Sequence, residues 1–376
     1  MWESKYINGI IVTTLYPSLI IEALKGVRYP GNGKSIVELG MIADNIRIDG
    51  MKVSFGLVFD KPSDPFIRSL VRTAEAAIHT HISPDVEVKI TPEFKAAPAP
   101  KTNPLPGVKN IVGVSSGKGG VGKSTVAANL AVALAKQGHK VGLLDADIFG
   151  PSVPKMFGVE DEPIYMVNKE GRDWIEPIEK YGVKLLSIGF VVDKAKPVLW
   201  RGGMASNALK QLISDAWWGD LDYFLIDMPP GTSDIHLTLV QTLPMTGVVV
   251  VTTPQEVALA DARKGIAMFR QPQVDVPVLG LVENMAWFTP APHPEEMYYI
   301  FGKDGGKLLA EESGVPLLAQ IPLVADIMSN ADAGTPIALQ ENAAGAAFGE
   351  LAAAVTAAVE RRNATLPPTT VVETTK

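Results

Sequence analysis

The stretch Gly113-Val114-Ser115-Ser116-Gly117-Lys118-Gly119-Gly120-Val121-Gly122-Lys123-Ser124-Thr125 constrains this chain more than any other. It follows a short apolar run, Ile111, Val112 and Val114, and opens an Ala-rich helix. Gly117, Gly122, Lys123 and Ser124 satisfy G-x-x-x-x-G-K-[ST], which average residue usage would produce by chance in roughly one chain in a hundred of this length. Backbone N–H groups along such a loop, here Gly117 to Thr125, point inward. Together with the N-terminus of the following helix they cradle phosphate oxygens. Lys123 then reaches the β and γ phosphates, and the Ser124 hydroxyl ligates Mg²⁺. The same glycines admit a rival reading, because Gly117, Gly119 and Gly122 also spell G-x-G-x-x-G. Asp145 even ends the next apparent strand, where the ribose-binding acid of a dinucleotide site would stand. Lys123-Ser124 argues against it, since a dinucleotide turn uses no ammonium there.

The chain has 376 residues, room for two or three domains and a sizeable core. Its 34 basic and 41 acidic residues leave a net charge of −7, which disfavours non-specific nucleic-acid binding. No apolar run reaches the length of a membrane span, and the longest, such as Gly247 to Thr253, suit a buried strand. The N-terminal apolar stretch is broken by Pro17 and Glu22 and does not read as a signal peptide, so the expected compartment is the cytoplasm. There is no cysteine, which excludes disulfides and thiolate-bound metals within the chain.

Residues 1 to 92 read as a small α+β domain. Pro17 suits the first turn of a helix through Leu24, and Asn45 to Leu57 alternates apolar and polar residues across Asp49-Gly50, a hairpin signal. Asp64 can cap a helix carrying Ile67, Leu70, Val71, Ala74 and Ile78, and Val86, Val88 and Ile90 form a last strand. His79 and His81 stand two apart at a helix end and point away from each other, so they read as solvated residues rather than ligands. Residues 93 to 107 form a Pro/Ala linker, and residues 363 to 376 a flexible tail. Between them, residues 108 to 362 alternate continuous apolar runs with helical stretches. That pattern implies a mostly parallel sheet covered by helices on both faces. Trp217 and Trp218 read as core and rim packing.

Three acidic motifs follow strands, where an open parallel sheet places its ligand. Asp227 ends Tyr223-Phe224-Leu225-Ile226 and precedes Met228-Pro229-Pro230-Gly231, a Walker B arrangement that holds the water shell of Mg²⁺. The backbone N–H of Gly231 could contact the γ phosphate. Of the pair Asp145 and Asp147, Asp147 is the better candidate to orient the attacking water, and Asp145 belongs to the outer shell of Mg²⁺. Asn284, after the run ending at Val282, can read a purine edge through its amide.

These residues resemble a known family. The loop with its extra lysine, Lys118, joins Asp145-Ala146-Asp147-Ile148-Phe149-Gly150-Pro151-Ser152, Trp200-Arg201-Gly202-Gly203-Met204, Asp227-Met228-Pro229-Pro230-Gly231-Thr232 and Glu283-Asn284-Met285. The set is similar to the Mrp/ApbC iron–sulfur cluster carrier ATPases, which have a deviant Walker A loop. Val27-Arg28-Tyr29-Pro30-Gly31 and Ile36-Val37-Glu38-Leu39-Gly40 are similar to the small domain preceding the ATPase in bacterial members, and the likeness covers residues 15 to 362. It implies a P-loop NTPase that binds ATP and Mg²⁺ and hydrolyses ATP slowly. It also implies a homodimer in which Lys118 reaches the partner's phosphates as a trans-acting charge, and which passes clusters to apo iron–sulfur proteins alongside assembly scaffolds. No nucleic acid or membrane partner is expected. The tail from Leu366 to Lys376 is no basic amphipathic helix, which with the acidic balance argues against a partitioning ATPase.

One departure stands out. Many members carry C-x-x-C soon after Glu-Asn-Met, so that paired monomers bridge a cluster with four thiolates. Here that stretch is Trp287-Phe288-Thr289-Pro290-Ala291-Pro292-His293-Pro294-Glu295-Glu296, which leaves the cluster ligands unidentified. His293 and the two glutamates could form a weaker metal site, or simply face solvent. A metal-free, nucleotide-switched adaptor that recruits client proteins is therefore the alternative function.

Overall fold

The structure is a computed structural model that describes residues 5–7, 10–12, 15–43, 45–59, 64–94, 103–148, 150–190, 202–290, 292–293 and 295–371. The chain divides into two compact units, residues 1–100 and 101–376. Phe149, Trp200 and Arg201 from the quoted motifs, and residues 95–102 of the expected linker, lie outside the described residues.

In the first unit a short antiparallel pair, β1 (Lys5–Ile7) and β2 (Ile10–Val12), precedes α1 (Pro17–Leu24). Then come β3 (Arg47–Asp49), β4 (Lys52–Phe59), α2 (Ile67–His81) and β5 (Glu87–Phe94). The sheet order is β3-β4-β5, with β3 antiparallel and β5 parallel to β4. Alternate residues Val53, Phe55, Leu57 and Phe59 face one side and pack with Ile20 and Leu24 of α1 and Leu70, Ala74 and Ile78 of α2. The expected hairpin forms, but Asp49 pairs with Lys52, so Gly50-Met51 makes the turn. Asp64 Oδ1 accepts from the Phe66 N–H at 2.8 Å, and α2 begins just after it. His79 Nε2 lies 2.9 Å from the Val86 carbonyl, which ties α2 to the segment entering β5.

The second unit is built on an eight-stranded sheet. Its elements are β6 (Val108–Ser116), α3 (Lys123–Lys136), β7 (Val141–Asp145), α4 (Val153–Phe157), a hairpin of β8 (Tyr165–Lys169) and β9 (Arg172–Glu176), β10 (Ile178–Lys180) and β11 (Val183–Ser187). They continue with α5 (Gly202–Ser214), β12 (Leu221–Asp227), α6 (Asp234–Val240), β13 (Gly247–Thr252), α7 (Glu256–Phe269) and β14 (Val278–Phe288). Last come α8 (Gly305–Ser313), β15 (Leu317–Leu323), α9 (Ala325–Asp332) and α10 (Ala343–Thr365). The strand order is β10-β11-β7-β12-β6-β13-β14-β15, and every neighbouring pair is parallel except β10 with β11.

The strands are apolar throughout because both faces are covered. Tyr223 and Leu225 of β12 and Val249 and Val251 of β13 join α3 and α10 in one core. The alternate residues Phe224, Ile226, Val248 and Val250 join α5, α6, α7 and α8 in the other. Trp218 is buried and its Nε1 donates to the Leu212 carbonyl at 3.1 Å, whereas half-buried Trp217 packs edge-on against Trp174.

Sequence patterning underread the C-terminus. Ala343–Thr365 is a single 23-residue helix, long and apolar enough in composition to cross a membrane. Phe348, Leu351, Val355 and Val359 bury one face of it in the core beside α3. Nothing in Asn363-Ala364-Thr365 stops a helix, so it runs three residues past 362, the expected end of the domain. Just beyond it, two residues of the expected tail are held: Arg362 Nη2 donates to the Pro367 carbonyl at 2.8 Å, and Thr369 Oγ1 to the Pro244 carbonyl at 3.0 Å.

Candidate functional site

Strand β6 sits where the sheet order reverses, between β12 on one side and β13 on the other. Ligands of open parallel sheets bind at that crevice, beyond the C-terminal strand ends. The loop Gly117 to Gly122 emerges there and leads into α3, whose N-terminal N–H groups face the crevice. Strand register then brings the acids together: Asp227 pairs with Asp145 on β7 and with Val114 on β6, so both carboxylates stand level with the loop.

Lys123 is at the centre. Its Nζ lies 2.6 Å from Asp227 Oδ1, 3.6 Å from Asp147 Oδ2 and 3.2 Å from Ser124 Oγ, with only 6% of the side chain exposed. Asp227 is fully buried, and burial pushes its carboxyl up against the pull of Lys123. Its second oxygen, Oδ2, is buried without a hydrogen-bond partner. An unmatched carboxylate oxygen beside the Ser124 hydroxyl fits the coordination or water shell of Mg²⁺, whose oxygen preference these two groups meet. Asp145 accepts from Ser187 Oγ at 3.0 Å, from the Val153 N–H at 3.3 Å and from the Asp147 N–H at 3.2 Å. Burial, helped by the Asp227 charge, raises it to about 8. Those bonds lock Asp145 as the post on which the Asp147 loop is mounted. Ser187, at the end of β11, has no signature in the sequence, where a lone serine carries no signal.

Around this centre several expected residues have other partners in this conformation. The Gly231 N–H donates to the Ser116 carbonyl at 2.9 Å, so reaching a phosphate requires that bond to open. Asn284 Nδ2 donates to the Val121 carbonyl at 2.9 Å, bracing the loop and leaving its carbonyl oxygen and second N–H for a base. Lys118 is half-buried in the loop, with its carbonyl accepting from Ser116 Oγ at 2.9 Å. Gly119, Gly120 and Thr125 line the same loop and helix start. Glu283 has a role the sequence concealed: fully buried, it accepts from the Gly306 and Lys307 N–H groups and from Gln320, fixing the start of α8.

Two glycines have reasons beyond phosphate access. A Cβ on Gly122, whose φ is +80°, would meet Asn284 Nδ2 at 2.2 Å. A Cβ on Gly117 would lie 2.1 Å from the Asp261 carbonyl carbon in α7, a backbone atom that cannot step aside. Gly117→Ala is therefore expected to cost about 3 kcal/mol, the upper range for overpacking. Gly119→Ala, with nothing within 4 Å, should leave the denaturation midpoint unchanged. Chemical denaturation of the two variants checks the difference.

His236 in α6 supplies a pH-dependent element. Its Nδ1 accepts from the Ser233 N–H at 3.2 Å, which leaves the proton on Nε2, buried with no partner. Burial lowers it to about 4 from an ordinary 6.5. The unfolded chain thus binds more protons between those values, and stability from this group falls as pH drops from 6.5 to 4, by about 3 kcal/mol in all. Asp145, whose value is raised, acts with the opposite sign, losing stability as pH rises towards 8. Denaturation of wild type and His236→Gln at pH 7, 6 and 5 isolates the histidine. The wild type should lose stability relative to the variant as pH falls.

Comparison with known proteins points to one family. The profile of the NUBPL iron-transfer P-loop NTPases matches residues 107–356, and that of an iron–sulfur cluster assembly protein matches residues 18–90. An iron–sulfur cluster carrier protein of Synechocystis sp. is 45% identical over 324 residues, covering 86% of this chain and 91% of that one. One from Deinococcus radiodurans is 41% identical over 321 residues, covering 85% and 88%. Among solved structures, a nucleotide-binding protein from Archaeoglobus fulgidus in complex with ADP matches with a TM-score of 0.53 and 39% identity, over 61% of this chain and 88% of that one. With the phosphate loop, the paired strand-end aspartates and the N-terminal assembly unit in one chain, the protein belongs to the Mrp/ApbC family of iron–sulfur cluster carrier P-loop NTPases.

Proposed function

We propose that this protein binds ATP with Mg²⁺, hydrolyses it slowly as a homodimer, and carries iron–sulfur clusters to apoproteins in the cytoplasm. The observation that carries the nucleotide half is Lys123, a buried ammonium held by Asp227 and Asp147 at the mouth of the loop. Arriving phosphates offer that ammonium a stronger anion, so Lys123 transfers from the carboxylates to the β and γ oxygens. Asp227, freed of Lys123, and Ser124 would hold the metal. Mg²⁺, when bound, neutralises charge on the transferred phosphoryl group. Asp147, 13% exposed and mounted on Asp145, orients the water, and Lys118 supplies charge across the dimer. Asn284 places the loop and offers its remaining amide groups to the base.

The cluster half rests on the names of the relatives and on the assembly unit, since this chain offers no thiolate. A cluster here needs nitrogen or oxygen ligands, or thiols from a second molecule. That same lack of cysteine favours the second reading, a metal-free adaptor whose nucleotide state recruits clients. Anaerobic reconstitution with iron and sulfide, with and without small thiols, separates them. Visible-region absorbance with matching iron and sulfide content supports carriage. A pure protein that never acquires it in either condition leaves the adaptor.

A further inference from the structure

We propose that the hairpin following β14 carries a mononuclear divalent-metal site formed by His293, Glu295 and Glu296. The strand that braces the phosphate loop through Asn284 continues four residues to Phe288, passing a bulge where Met285 adopts a left-handed φ of 56°. There a two-residue clasp closes the hairpin: Phe288 and Tyr298 exchange both backbone hydrogen bonds at 2.8 Å. Inside it the His293 N–H donates to the Pro290 carbonyl at 2.9 Å, and the Glu296 N–H to the His293 carbonyl at 3.1 Å. His293, Glu295 and Glu296 thereby bring three ligating side chains close together.

One ligand atom from each of the three lies within 4.8 Å of the other two, and His293 Nδ1 is 3.7 Å from Glu295 Oε1. Donors at ~2.1 Å from a common ion stand roughly 3–4 Å apart, so side-chain rotation alone closes the set. The Tyr298 hydroxyl hydrogen-bonds the Glu296 carboxylate, the outer-shell contact that orients metal-bound carboxylates. One imidazole and two carboxylates suit a first-row divalent ion such as Fe²⁺, Zn²⁺, Co²⁺ or Mn²⁺. They do not suit Ca²⁺, which takes six to eight oxygens, or the soft ions that need thiolates. A dication also cancels the two carboxylate charges. With 59% of His293 and 70% of Glu295 exposed, a bound ion keeps open positions and exchanges with solution, unlike a closed structural site. Neither sulfide nor nucleotide enters this site, so it stands or falls separately from cluster carriage.

The test is titration of untagged, nucleotide-free protein with Co²⁺, read by visible d–d absorption and by equilibrium dialysis with metal analysis. One Co²⁺ per chain is expected, displaced by Zn²⁺. His293→Ala and the double variant Glu295→Gln/Glu296→Gln should abolish it while ATP turnover stays at the wild-type level. Tyr298→Phe keeps all three ligands and should weaken binding about tenfold. Absence of saturable binding, or binding of undiminished stoichiometry in both ligand variants, overturns the site.

Discussion

Lys123→Ala is expected to abolish tight ATP binding, weakening it at least ~10²-fold, the scale of losing one preorganised charge from a phosphate or oxyanion site. The structure adds a consequence in the absence of nucleotide. Lys123 is the cation that faces Asp227 at 2.6 Å and Asp147 at 3.6 Å, and its charge also reaches Asp145. Removing it leaves acids buried without a counter-charge, a change that costs about 3–5 kcal/mol when a buried pair is broken. Asp227, already pushed up by burial, can escape part of that penalty by taking a proton. The variant should therefore be most stable in acid and lose stability as pH rises, more steeply than the wild type. Nucleotide titration and denaturation at pH 6 and 8 measure both effects. An affinity within a few-fold of wild type would place the phosphates elsewhere.

This double role explains what the sequence made legible and what it hid. Gly122-Lys123-Ser124 and the strand-end Asp227 announce themselves because phosphate chemistry demands those residue types at those spacings. The layered sheet was legible for a similar reason, since strands buried on both faces are written as unbroken apolar runs such as Val248 to Val251. Contacts between distant segments leave no such trace. Gly117 reads as a phosphate glycine, yet it also lies against the backbone of α7, more than 140 positions on. Ser187 and Glu283 look like ordinary polar residues beside apolar runs, and only the assembled sheet shows them holding Asp145 and α8. Asn284 reads as a base contact, whereas the fold also employs it as a brace on the Val121 carbonyl. The Ala-rich α10 is faint in the sequence because its small residues give a weak amphipathic pattern, though its packing against α3 buries a whole face.

Lys118→Ala should spare ATP binding and slow hydrolysis by ~10³-fold or more, the range for a charge supplied in trans to a phosphoryl transition state. Lys118 is half-buried near the start of the loop, while Lys123 lies in the first turn of α3 and is already engaged with the acids. On the proposed reading, Lys123 serves its own nucleotide and the charge on Lys118 acts on the phosphates that a second subunit presents. Mixing variants distinguishes this from a role within one chain. A Lys118→Ala subunit still binds ATP through Lys123, and a Lys123→Ala subunit still offers Lys118. If the lysine acts across the dimer, the mixed dimer contains one complete site and recovers up to half of the wild-type turnover, though each variant alone is inactive. If Lys118 serves its own subunit, no combination is complete and mixing restores nothing. Unchanged turnover in Lys118→Ala alone would remove the residue from the reaction, and with it the main physical reason to require two copies of the chain.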